Sequence, residues 1–136
     1  MVENQCVATI LIVDDNVDSC RNLADILSAY GYDVDIATSG TDALNLVRRR
    51  DYLIALLDLK MPEMDGITLS EEIHRECPAI IAMIVTAFLS EEAEERAKNA
   101  HIDQVIAKPV DVPRLLSCVR EAASQRVKHS SPTSVS

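Results

Sequence analysis

Tryptophan is absent from this sequence, phenylalanine occurs once and tyrosine three times, so aromatic residues make up only 3% of the chain. Any core must therefore be aliphatic, and an apolar content of 48% supplies the Leu, Ile, Val, Ala and Met to build one. Glycine is as scarce: Gly31, Gly40 and Gly66 stand far apart. Their isolation excludes both a P-loop and a GxGxxG dinucleotide loop. Cys6, Cys20, Cys77 and Cys118 form no CxxC pair, and His74, His101 and His129 are equally dispersed. A zinc site or a disulfide framework is not expected; reduced thiols in a cytoplasmic protein are. No apolar run is long enough to span a bilayer. The opening MVENQCVATILIVDD has no basic residue ahead of its apolar run, unlike a signal peptide. Basic residues are also in deficit, 13 against 22 acidic ones, for a net charge of -9. Such a surface repels nucleic acid and anionic lipid, so neither nucleic acid nor membrane is an expected partner.

What is present is alternation. A length of 136 residues suits one domain around one core. Short apolar runs (Ile10–Val13, Tyr52–Leu57, Ala79–Val85) and two weaker ones (Val34–Ala37, Gln104–Ala107) read as strands. Helical spacing follows each. Leu23, Ala24, Leu27 and Tyr30 precede a stop at Gly31. Ala43, Leu44 and Val47 follow Ser39 or Thr41 as a start, and Leu69 and Ile73 lie on a helix closed by Pro78. A helix from Ser90 to Ala100 and an amphipathic one through Val112, Leu115, Leu116 and Val119 complete the series. Repeated β-then-α predicts a parallel sheet with helices on both faces. The wholly apolar first, third and fourth strands belong in the middle, the weaker second and fifth at the edges. That is an α/β, flavodoxin-like doubly wound (βα)5 fold with strand order 2-1-3-4-5. The domain is read as residues 1–123, with 124–136, SQRVKHSSPTSVS, as a polar tail or linker stub.

Ligands of such sheets bind at the carboxyl ends of the strands. There the first strand delivers Asp14 and Asp15, the third Asp58, the fourth Thr86 and the fifth Lys108 followed by Pro109. Clustered carboxylates repel, and one takes up a proton unless a cation neutralises them. Hard oxygen donors favour Mg²⁺. A carboxylate so placed can act as nucleophile on a phosphoryl group, while a lysine and a hydroxyl receive the phosphoryl oxygens.

Four segments, ILIVDDN, LLDLKMPEMDG, IVTA and AKP, carry this chemistry in order. Together they resemble the receiver domain of two-component response regulators. The resemblance implies that Asp58 is the phosphoacceptor and that Asp14, Asp15, Asp58 and the Lys60 carbonyl hold Mg²⁺, for which Mn²⁺ can substitute. It implies that Thr86 is the switch hydroxyl and Lys108 the phosphoryl-pairing lysine. It also implies a cis Lys108–Pro109 bond, and that Pro62 and Gly66 shape the loop after Asp58. The expected partners are a histidine kinase or histidine phosphotransfer protein, an output partner or domain, and a second copy in a homodimer. The chain would be a substrate that assists its own modification, not a turnover enzyme. It would be a free-standing receiver or the N-terminal piece of a longer regulator; a hybrid-kinase receiver fits less well with a domain starting at Met1.

Simpler readings exist for each residue. Asp14-Asp15-Asn16 can cap a helix, Thr86 can be an ordinary strand residue and Lys108 a surface lysine; their joint occurrence favours the site. Glu63 and Asp65 read as turn residues, and Glu92–Arg96 and Glu94–Lys98 as i,i+4 pairs. Val105 departs from the family pattern, where an aromatic residue stands three before the lysine, and His101 stands where a glycine is common. With no aromatic there, signalling is expected to rest on Thr86 and on movement of the Ser90–Ala100 helix, held only by Ala93, Ala97 and Ala100. Lys60 and Phe88 either hinder the water that attacks the phosphoryl group, giving a long-lived aspartyl phosphate, or are a solvated lysine and a core cover. An aspartyl-nucleophile phosphohydrolase is the enzyme alternative, but Lys60 stands where a second acid is needed. A module that has lost phosphorylation is the other alternative, disfavoured by the complete residue set.

Overall fold

A computed structural model describes residues 9–135, with side chains described through Ser124. Among the described residues five strands alternate with five helices: β1 (Thr9–Val13), α1 (Val17–Ala29), β2 (Asp33–Ala37), α2 (Gly40–Arg49), β3 (Ile54–Asp58), α3 (Gly66–Glu76), β4 (Ile81–Thr86), α4 (Glu91–Asn99), β5 (Gln104–Ala107) and α5 (Val112–Val135). The sheet is parallel throughout, in the order β2-β1-β3-β4-β5. The expected order, with the apolar strands central, is the one observed. The polar tail expected from Ser124 lies almost wholly outside the described side chains; α5 carries the backbone through it.

The period of two in the central strands sorts their side chains onto two faces. Leu11, Val13, Ala55, Leu57, Ala82 and Ile84 face α2, α3 and α4 through Ala43, Val47, Ile67, Leu69, Ile73, Ala93 and Ala97. Ile10, Ile12, Ile54, Leu56, Met83 and Val85 face α1 and α5 through Cys20, Leu23, Leu27, Leu115, Leu116 and Val119. Each such Leu or Ile, buried fully, stabilises the fold by about 1.5–3 kcal/mol.

Four helices start on a side chain that accepts the backbone N–H three residues on: Asn16 from Ser19, Ser39 from Asp42, Asp65 from Thr68 and Ser90 from Ala93. Ser39, rather than Thr41, therefore starts α2. Gly31 takes φ 94° just past α1, a conformation that glycine adopts without strain. His101 does the same past α4 with φ 61°, at a steric cost glycine would not carry. One polar cluster has no local signal in the sequence. Tyr52 is 2% exposed, and its hydroxyl donates to Asp35 at 2.5 Å. Arg50 donates to Asp35 at 2.9 Å and to Asp33, tying the lead into β3 to β2. Burial, then the bond to Asp35, holds the Tyr52 hydroxyl far above its ordinary range.

Candidate functional site

Strand register explains why distant residues meet. Val13 pairs with Leu57, so Asp14 follows β1 level with Asp58 at the end of β3. Asp58 pairs with Val85 and Thr86 with Ala107, which sets Thr86 and Lys108 one step further along the same rim. Asp14, Asp58 and Thr86 are buried, Lys108 is half-buried and Asp15 is exposed. Lys108 Nζ reaches Asp14 Oδ2 at 2.8 Å and Asp58 Oδ1 at 3.6 Å. Asp14 Oδ1 also accepts the Asn16 N–H at 3.0 Å. The Lys108–Pro109 peptide is cis.

The carboxylates of Asp14, Asp15 and Asp58 each offer an oxygen within 4.8 Å of the others. Burial, then the charge of Asp14, raises the Asp58 carboxyl above the usual carboxylate range, despite the nearby Lys108. For Lys108, burial acts to lower its pKa, but the hydrogen bond to Asp14 and the charges of Asp14 and Asp58 leave it raised and firmly cationic. One ammonium thus compensates a cluster of three carboxylates incompletely, and an all-oxygen donor set of this kind suits a hard divalent cation. The residues present therefore fit Mg²⁺.

Thr86 is fully buried, and its Oγ1 accepts the Phe88 N–H at 2.9 Å. Lys60 Nζ stands 5.2 Å from the centre of the Phe88 ring, and that ring is 59% exposed. Phe88 therefore lies over the rim rather than over the core. Pro62 and Glu63 line a small cleft beside Asp15 with Met61 and Met64. Gly66 opens α3 against β3: its N–H donates to the Leu59 carbonyl at 3.0 Å, and a Cβ there would lie 2.3 Å from the Asp58 carbonyl oxygen. Val105 is half-buried against the face that α2, α3 and α4 cover.

Three features escape the sequence reading. Asp65 is not merely a turn residue: it caps α3 and accepts from Arg96 Nη2 at 2.8 Å. Arg96 accordingly pairs with Asp65 and not with Glu92. The D-x-x-T spacing of Asp65 and Thr68 signals the cap; nothing local signals the partner on α4. Cys20 lies beneath the site, its Sγ donating to the Asp14 carbonyl at 3.2 Å. Burial, then Asp14, pushes that thiol up to about 11, so it stays protonated.

Known proteins resemble this chain in sequence and in fold. Residues 10–120 match the response regulator receiver domain family. A response regulator receiver protein of Anaeromyxobacter sp. is 43% identical over 106 residues, covering 78% of this chain and 44% of that protein. The transcriptional regulatory protein ZraR of Salmonella typhimurium is 42% identical over 113 residues, covering 83% of this chain and 26% of ZraR. The chain thus spans less than half the length of these two relatives. The polar-differentiation response regulator DivK of Brucella ovis is 30% identical, covering 82% of this chain and 93% of DivK. A CheY-like receiver domain from Methanospirillum hungatei superposes with a TM-score of 0.87 at 32% identity, over 90% of this chain and 98% of that one. The chain belongs to the response regulator receiver domain family, whose known role is phosphorylation-activated two-component signalling.

Proposed function

We propose that Asp58 accepts the phosphoryl group, that Thr86 and Lys108 receive its oxygens, and that Asp14, Asp15, Asp58 and the Lys60 carbonyl hold Mg²⁺. One observation carries this reading: Lys108 Nζ lies between Asp14 and Asp58 on a rim that Thr86 shares. In the reaction, an Asp58 carboxylate oxygen attacks the phosphorus of a phosphohistidine. The O–P bond forms as the P–N bond breaks, and the imidazole leaves with the electron pair and takes up a proton. Lys108 exchanges part of its contact with Asp14 and Asp58 for a phosphoryl oxygen. Thr86 Oγ–H donates to another, for which the hydroxyl turns away from the Phe88 amide. When bound, Mg²⁺ would neutralise the charge shared by the carboxylates and the phosphoryl oxygens.

The donor in this reading is a histidine kinase or histidine phosphotransfer protein, and the acceptor domain is not a turnover enzyme. The new charge at Asp58 shifts an existing equilibrium between two conformations. Output passes through the face built by α4, β5 and α5, to a partner, to a following domain or to a second copy of this chain. The receiver unit is residues 1–123, its place is the cytoplasm, and its acidic surface excludes nucleic acid as its own target. Pro62 and Gly66 keep the loop after Asp58 in shape.

The test is intact mass after incubation with Mg²⁺ and acetyl phosphate, beside Asp58→Ala. A gain of one phosphoryl group by the wild type alone is the expected result. No gain from acetyl phosphate or from a phosphorylated histidine protein, with Mg²⁺ bound, would assign the chain to phosphorylation-independent interaction.

A further inference from the structure

α4 is held to the domain by little. Its buried side chains are Ala93 and Ala97, with Ala100 at its cap, and alanine buries the least apolar surface of any core side chain. Against that thin seam stands, among the described residues, one directional side-chain contact to another element, Arg96 Nη2 to Asp65 Oδ2 at 2.8 Å. It spans a cleft of about 470 Å³ between α4 and the loop after β3, lined by Leu59, Lys60, Met61, Phe88, Glu92 and Arg96 among others.

The anchor end of this contact leads straight back to Asp58. Asp65 caps α3 and immediately precedes Gly66. Gly66 sits so close on the Asp58 carbonyl that no side chain fits between them, and its amide is bonded to Leu59. A backbone shift at Asp58 is therefore passed to Asp65 with little room for absorption. At its other end the contact reaches the middle of α4.

We propose that the Asp65–Arg96 ion pair is a latch that holds α4 in its resting position and restrains phosphorylation of Asp58. The latch deepens the functional reading above and rests on it. It acts separately from Thr86, whose hydroxyl bonds the amide of Phe88 on the other loop of the same cleft. Both partners are partly exposed, 42% for Arg96 and 31% for Asp65, so the pair biases a population rather than locking it. Reciprocity requires that whatever loosens α4 also favours the phosphorylated state.

The test uses Arg96→Gln, Arg96→Lys and Asp65→Asn, the last of which keeps a capping side chain on α3. Two quantities are read: amide exchange across 91–99 in the unphosphorylated protein, and the rate of phosphoryl gain from acetyl phosphate by intact mass. Arg96→Gln and Asp65→Asn are expected to raise both by about two- to five-fold, the range that a half-exposed ion pair supports. Their double variant should exceed neither, and Arg96→Lys should stay near the wild type. Unchanged exchange would overturn the latch, as would faster exchange with an unchanged phosphorylation rate. If the wild type gains no phosphoryl group from acetyl phosphate or from a phosphorylated histidine protein, the functional reading has failed instead, and the exchange arm still decides whether the pair holds α4.

Discussion

Phe88 is the one phenylalanine of the chain, and more than half of its surface faces solvent. A core built from aliphatic residues had every use for that ring, yet the ring lies at the rim under the Lys60 ammonium. A cation over an aromatic face is worth about 0.5–1 kcal/mol at an exposed site. That is enough to keep both side chains together at the rim for most of the time. With Asp58 as the proposed acceptor, the water that hydrolyses its aspartyl phosphate would come over the rim, since Asp58 itself is only 8% exposed. Removing the cover with Lys60→Asn or Phe88→Ala should speed phosphate loss by about two- to five-fold, matching the energy of the contact. The half-life of purified phosphoprotein, followed by intact mass, checks this. Equal half-lives in both variants and the wild type would mean that the pair is a surface ornament to the chemistry.

At the scale of elements, the junction from β3 to α3 shows what a sequence discloses and what it hides. LLDLKMPEMDG discloses the strand end, the carboxylate and the break, because burial of a run and its punctuation are local signals. The strands and their order are legible for the same reason: unbroken apolar runs mark the strands covered on both faces. The site residues are legible because each stands at a strand end, where the doubly wound topology brings them together. The Asp65–Arg96 and Tyr52–Asp35–Arg50 contacts are not legible. Their partners lie 31 and about 15–17 residues apart, and nearer partners such as Glu92 compete on paper for the same charge. The close approach at Gly66 is hidden as well, since an isolated glycine reads equally as a helix start. Gly66→Ala places a methyl against the Asp58 carbonyl and should cost about 3 kcal/mol, at the upper end for overpacking, because backbone cannot turn aside as a side chain can. Urea unfolding measures it. A loss below about 1 kcal/mol would show that α3 slides freely against β3, and would remove the stiff link on which the Asp65 latch depends.

For the molecule as a whole, the acidic rim costs folding stability that a divalent cation bound there would restore. The net charge is -9, and three of the acidic side chains are gathered where, among the described residues, only Lys108 forms ion pairs with them. The Asp58 carboxyl is raised by burial and by Asp14, so the folded chain holds that proton more tightly than the unfolded chain does. Stability from this group is therefore gained as pH falls through its folded pKa, and at neutral pH its charge works against folding. Asp58→Asn should accordingly raise the melting temperature of the metal-free protein at neutral pH, by about 1 kcal/mol or roughly 3–5 °C, since Lys108 keeps its bond to Asp14. Mg²⁺ held as proposed above would act in the same direction on the wild type. At a free concentration ten times its Kd it should add about 1.4 kcal/mol, and chelation should remove the whole gain. The two effects compete for one cause, so Mg²⁺ should stabilise Asp58→Asn less than it stabilises the wild type. Melting curves with and without Mg²⁺, at matched ionic strength to hold general screening constant, separate the cases. Equal gains in the two proteins would place the cation somewhere other than this rim, and with it the neutralising charge that the phosphoryl transfer needs.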